Sequence, residues 1–165
     1  MLAQEGQRPV PLTRDQVHLI RASYAQISQQ APAYADLFYH RLLHKHPFAR
    51  AVFPDDLRHQ SDVFRSTLDA MVERVDDLAA LLPGLAALGR RHVGYGVKPS
   101  HYAPVGEVLI DTFAELLGEH FTHHMRQAWE ALYEDVSTVM LDESCRSSHG
   151  PGSSIQSSQI EPKTA

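Results

Sequence analysis

The chain has 165 residues, 43% hydrophobic and 21% charged, which supplies enough apolar mass for one core-bearing domain and too much for a disordered chain. Fifteen Lys and Arg stand against 20 Asp and Glu, a net charge of −5 without a basic cluster, which argues against a nucleic-acid partner. A single cysteine, Cys145, excludes an internal disulfide and a thiolate metal cluster, so a reducing cytoplasm is the expected setting.

Residues 1–12, with Pro9 and Pro11, read as an extended lead-in that lacks the basic-then-apolar pattern of a secretion signal. Thr13 and Gln16 have the form of a capping box, and Val17, Ile20, Tyr24 and Ile27 follow at helical spacing. The stretch QQAP ends this helix. Pro32 fits the first turn of a second one that runs to His46, with Leu37, Phe38, Leu42 and Leu43 on its apolar side and Tyr39 beside them. Pro47 starts a short segment that ends at Phe53. A longer helix is expected from Leu57 to Asp76, because Phe64, Leu68, Met71, Val72 and Val75 keep a helical period; Gln60 lies one turn before Phe64 on the same face.

Leu85, Leu88 and His92 share a face in the next helix, which Pro83 is expected to open and Gly94 to close. Gly89 lacks a side chain on nearly that face and would let a flat, wide group approach the backbone. On spacing alone His92 reads either as a core histidine bonded to a carbonyl or as a metal ligand. Ser100 is expected to cap a helix striped by Tyr102, Val105, Leu109, Phe113 and Leu116. Thr122 is expected to cap a last one striped by Met125, Trp129, Leu132, Val136 and Met140. No period-2 strand, repeat or second domain is visible, so the fold class is all-α. The longest apolar run, Leu78–Leu88, is broken by Pro83 and Gly84 and is too short to span a bilayer. The organisation expected is a lead-in over 1–12, one domain over 13–143, and a Ser-, Gln-, Gly- and Pro-rich disordered tail over 144–165. His40 and His44, and His120, His123 and His124, have no carboxylate or cysteine set at ligand spacing and read as solvated surface histidines.

The run LGRRH followed by YGVKPSHYAPVGE, with LFYHRLL and HPFARAVF upstream, resembles the globins over about residues 13–142. The likeness is to single-domain bacterial globins and the globin domain of flavohaemoglobins, with neuroglobin-like wording around His92. It implies a three-over-three helical sandwich holding haem, with His92 as the proximal iron ligand. The absence of C-x-x-C-H makes that a non-covalent b-type haem. The resemblance further implies that Phe53 packs flat on the haem and that Tyr39 and Gln60 form the distal pair, with His59 the competitor should the register slip by one. Phe64 would narrow the ligand pocket, and Val97 and Tyr102 would line the proximal side. Glu143 is the match for an acidic residue of the proximal network, and Tyr24 stands where many relatives carry tryptophan. The function implied is reversible binding of O2, with NO and CO as further ligands. Two alternatives are nitric oxide dioxygenation with a separate reductase, since 165 residues leave no room for flavin and nicotinamide domains, and gas sensing.

Overall fold

A computed structural model describes residues 10–30 and 33–148; the expectations for Pro32, for residues 1–9 and for the tail beyond Ser148 lie outside the described residues. Among these every regular element is helical and no strand occurs, in agreement with the all-α reading.

Helix α1 (Arg14–Ser28) opens on the expected capping box, the Thr13 hydroxyl accepting from Gln16 N at 3.2 Å and the Gln16 side chain accepting from Thr13 N at 2.8 Å. Its buried face is Ile20, Ser23, Tyr24 and Ile27. Helix α2 (Ala33–Lys45) buries Tyr34, Ala35, Phe38, Tyr39 and Leu42, and α3 (Phe48–Val52) is the short segment expected after Pro47. Helix α4 (Arg58–Glu73) stops three residues before the expected Asp76. There Arg21 reaches across from α1, donating to the Glu73 carbonyl at 3.1 Å and the Asp76 carboxylate at 2.8 Å, which satisfies one of the exposed carbonyls of the helix end.

The His92 helix departs from expectation at its start and ends on Gly94 as expected. Helix α5 spans Leu78–Gly94, with the Asp77 carboxylate accepting from Ala80 N at 3.3 Å, so Pro83 lies inside the helix rather than opening it. Its ring removes the bond to the Ala79 carbonyl, a loss that the capped first turn and the packed turns beyond it override. Gly96 makes the turn that follows Gly94. With φ at +82°, Gly96 sends its own N–H to the Val93 carbonyl and lets Val97 N donate to the His92 carbonyl, both at 3.0 Å. These paired bonds satisfy the last carbonyls of α5 in a left-handed cap that favours glycine.

Ser100 does not cap the next helix. It sits inside a 3-10 turn (Pro99–His101) where His101 Nδ1 accepts from Lys98 N at 3.1 Å, and α6 (Tyr102–Leu117) follows directly. Thr122 caps α7 as expected, accepting from Met125 N at 3.2 Å. Helix α7 (His123–Ser148) runs five residues past the expected boundary at Glu143. Ser144 extends the buried stripe by one turn from Met140, whose carbonyl accepts its hydroxyl at 2.8 Å; polar composition hid this in the sequence.

Helix α7 packs against α5 and α1, and α2 packs against α6 and α4. Phe113 (0% exposed) meets Trp129 edge to face at 4.8 Å, and Trp129 Nε1 donates to Ser23 Oγ at 2.9 Å, joining α1, α6 and α7. Each large apolar side chain so buried contributes about 1.5–3 kcal/mol. Gly89 serves this packing. Its α-carbon faces the Met140 backbone of α7, not an open space for a flat group as the sequence suggested.

Candidate functional site

An almost wholly apolar cavity opens between α4 and α5 and is floored by α6 and α7. Tyr39, Phe53, Gln60, Phe64, His92, Val97 and Tyr102 all line it, so the structure brings these seven residues expected from the sequence together. His59 does not line it and is exposed on α4, whereas Gln60 is half-buried on the cavity wall.

Two polar clusters interrupt the apolar lining. On the α5 wall, His92 Nδ1–H donates to the Leu88 carbonyl at 2.9 Å. That bond settles the tautomer of the neutral ring and leaves the lone pair on Nε2. Burial holds the imidazole below its ordinary pKa, opposed by the Leu88 carbonyl and reinforced by Arg91. On the other wall, α2 places Tyr39 (2% exposed) and α4 brings the Gln60 side chain near its hydroxyl. Burial pushes the Tyr39 phenol up to about 12 against the opposing effect of Gln60, so it stays a proton donor.

Aromatic packing fixes Tyr39. Its ring meets Phe53 at 5.3 Å and Phe64 at 5.6 Å, both edge to face, and Phe64 is stacked on Phe38 at 4.7 Å. These contacts limit the rotamers of the phenol and hold its hydroxyl to one region of the cavity.

Behind His92, the rings of His92 and Tyr102 are 6.3 Å apart. The buried Tyr102 hydroxyl is turned toward Ser144, and no hydrogen bond of ordinary geometry reaches it. Glu143, the expected acidic member of this region, points elsewhere and pairs with Arg90 at 2.7 Å. One residue of helical rotation separates the two outcomes: Ser144 lies on the buried stripe and Glu143 beside it.

Two contributors were missed in the sequence. Tyr133 lines the cavity, packs on Gly106, and donates from its hydroxyl to the Tyr102 carbonyl at 2.5 Å. Its position four residues after Trp129 was the available signal, overlooked in favour of Leu132. His101 also lines the cavity, stacked flat on Phe48 at 3.9 Å; only its neighbour Tyr102 had drawn notice. Tyr24, remote from the cavity, donates to Asp69 at 2.7 Å and shares a 3.0 Å hydrogen bond with Tyr34, a polar role for the aromatic position of α1.

Chemically, an apolar slot with one imidazole lone pair on one wall and a phenol with an amide on another suits a hydrophobic prosthetic group with an electrophilic centre. Among the described residues no cluster of three His, Cys, Asp or Glu side chains offers a rival metal site.

Comparison with known proteins agrees. The family model described as Globin matches residues 36–140. A flavohemoprotein of Vibrio cholerae is 27% identical over 136 residues, covering 79% of this chain and 34% of its own, so the chain spans about a third of the length of such relatives. A leghemoglobin of Medicago sativa is 27% identical over 140 residues, covering 78% of this chain and 95% of the relative. Among solved structures, an engineered carbene transferase from Rhodothermus marinus superposes with a TM-score of 0.75 at 25% identity, covering 83% of this chain and 96% of the other.

Proposed function

The chain belongs to the globin family and has its three-over-three helical fold, and from that premise we propose that it is a b-type haem protein that binds O2 reversibly, with NO and CO as further ligands. The observation that carries this reading is the sharing of one apolar cavity by His92, with its Nε2 lone pair available, and by the Tyr39–Gln60 pair.

The residues present fit the group. The apolar lining suits a porphyrin face, and nothing in the chain has the C-x-x-C-H pattern that would attach it covalently. His92 would hold the iron, and Phe53, Phe64, Val97 and Tyr102 would pack on the ring. When bound, haem iron supplies the affinity for diatomic gases. Tyr39 and Gln60 orient their O–H and N–H toward the ligand, a hydrogen bond that favours polar O2 over CO. The apolar walls keep water out.

A second reading shares these parts. Firm retention of O2 by Tyr39 and Gln60 suits oxidation of NO, in which NO, O2 and one electron give nitrate, the electron coming from a separate reductase. The flavohemoprotein relatives favour considering it. A cytoplasmic setting suits a chain with one cysteine, and among the described residues no helix is long and apolar enough to cross a membrane.

Titration of the purified chain with haem, followed by absorption spectra of the oxidised, reduced and CO-treated forms, tests the proposal. One haem per chain with a sharp Soret band is expected, lost or broadened in His92→Ala. A normal reduced CO spectrum in His92→Ala, or no uptake by the parent chain, would overturn it.

A further inference from the structure

Acidic side chains are absent from the end of α5 and the turn beyond it, on either side of His92. From Leu78 to Gly106 the chain carries Arg90, Arg91 and Lys98 and none of its 20 Asp and Glu, although its net charge is −5. Arg90 is engaged by Glu143 at 2.7 Å. Arg91 and Lys98 are exposed, and among the described residues neither joins an ion pair.

Apolar surface gathers at the same turn. Four large hydrophobic side chains stand exposed among the described residues, and two of them, Val93 at 37% and Tyr95 at 64%, lie here. The left-handed cap at Gly96 holds this turn in one shape, so the exposed groups are presented rather than mobile by default. The Tyr95 ring is 6.5 Å from the ring of His92. Arg91 and Tyr95 lie one helical turn apart on one face, an exposed aromatic beside a cation is a composition found at docking interfaces, and unpaired cations on an acidic protein steer an acidic partner to that spot.

We propose that Arg91, Tyr95 and Lys98, at the end of α5 and the turn beyond it, form the docking surface for an acidic electron-donating flavoprotein. The inference rests on the haem reading of His92. A second copy meeting this face with its own would set Arg91 and Lys98 against their own likenesses, whereas an acidic partner neutralises them. The nearness of His92 selects an electron donor, because electron transfer weakens steeply with distance. The step is the passage of one electron from reduced flavin to ferric iron: the flavin is oxidised, the iron reduced, and no bond is made or broken.

The test uses the full-length ferric haem protein and, as the probe, the hydroquinone of an acidic flavodoxin, with reduction followed by stopped flow. The second-order rate constant is expected to fall as salt rises and to drop about tenfold or more in Arg91→Glu/Lys98→Glu. Arg14→Glu/Arg74→Glu, which makes the same change in net charge on other elements, is expected to leave most of the rate. Equal rates in the two double variants, each with a normal Soret band, would overturn the docking proposal while leaving the haem reading intact; failure of the parent chain to take up haem would instead defeat the reading beneath it. Binding of the parent to phosphatidylserine vesicles, abolished by Arg91→Glu/Lys98→Glu while flavodoxin rates stay equal, would assign the surface to lipid and also overturn the proposal.

Discussion

Gly89 and Met140 meet backbone to backbone: a β-carbon at position 89 would stand 2.6 Å from the Met140 carbonyl oxygen and 2.9 Å from its Cα. Neither atom belongs to a flexible side chain, so α5 or α7 must shift to admit even a methyl group. Gly89→Ala is therefore expected to destabilise the fold by about 1–3 kcal/mol, as overpacking of a close contact does. For a chain of this size that lowers the thermal midpoint by roughly 2–12 °C. Because His92 lies three residues on, haem retention should weaken in the same variant. An unchanged midpoint in thermal unfolding would show that the two helices do not approach as closely as described.

The distal pair gives a second expectation. A hydrogen bond from Tyr39 to a ligand of partial negative charge should be worth about 1.5–3 kcal/mol. Tyr39→Phe should then speed O2 release by roughly ten- to a hundred-fold, since about 1.4 kcal/mol corresponds to tenfold. Gln60→Leu should also speed release, having removed an amide donor from the cavity wall, whereas His59→Leu, altering an exposed side chain off that wall, should change little. Flash photolysis and stopped-flow release rates for the three variants separate these outcomes; a larger effect from His59 than from Gln60 would reverse the register.

Titration of Tyr39 supplies a third. Its pKa is pushed up from 10.0 to about 12, by burial above all, so the folded chain keeps the proton while the unfolded chain loses it. The sign follows from linkage: the contribution is fully present below pH 10 and is lost as pH rises from 10 through 12. Tyr24, Tyr34, Tyr102 and Tyr133 are raised as well, so wild-type stability alone does not isolate Tyr39. The stability difference between the wild-type chain and Tyr39→Phe should shrink between pH 10 and 12 in urea unfolding of the haem-free protein. A difference that stays constant over that range would mean that the phenol titrates normally. The same shift implies that O2 release through Tyr39 is insensitive to pH between 6 and 9.

These expectations were legible in the sequence to different degrees. Helical periodicity and the Thr13 capping box placed α1, and the stripe from Met125 to Met140 placed α7, because a buried face leaves a period that composition cannot erase. Helix ends were harder. Pro83 has the look of an opening residue, yet tertiary packing carries α5 through it; Gly94 does end the helix, with the positive φ on Gly96, two residues later. The seven cavity residues are legible in the sequence only through motif wording. Spacing alone left His92 open between core and ligand. Tyr133 and Ser144 escaped notice because each depends on contacts between elements, Tyr133 with the Tyr102 carbonyl and Gly106, Ser144 with the region around Tyr102.

Carrier and enzyme can be told apart by kinetics on the same polypeptide. A transport protein must release O2 readily, whereas a phenol and an amide directed at the ligand slow release and suit a reaction that consumes O2 in place. Tyr39 is fixed by Phe53 and Phe64, and its burial keeps the donor proton on, so the hydrogen bond is available without reorganisation. The oxygenated protein is therefore expected to convert NO to nitrate rapidly and in stoichiometric amount. Each conversion draws one electron from the protein, and among the described residues there is a single helical domain with no dinucleotide-binding strand and turn to supply it. Repeated turnover should appear only when a reductase is added, and Tyr39→Phe should divert the protein toward simple O2 release. Stopped-flow mixing with NO, followed by multiple-turnover assays with NADH alone and with NADH plus a flavin reductase, separates the cases. Fast O2 release with slow nitrate formation would identify a carrier, and sustained turnover on NADH alone would refute the need for a separate electron donor.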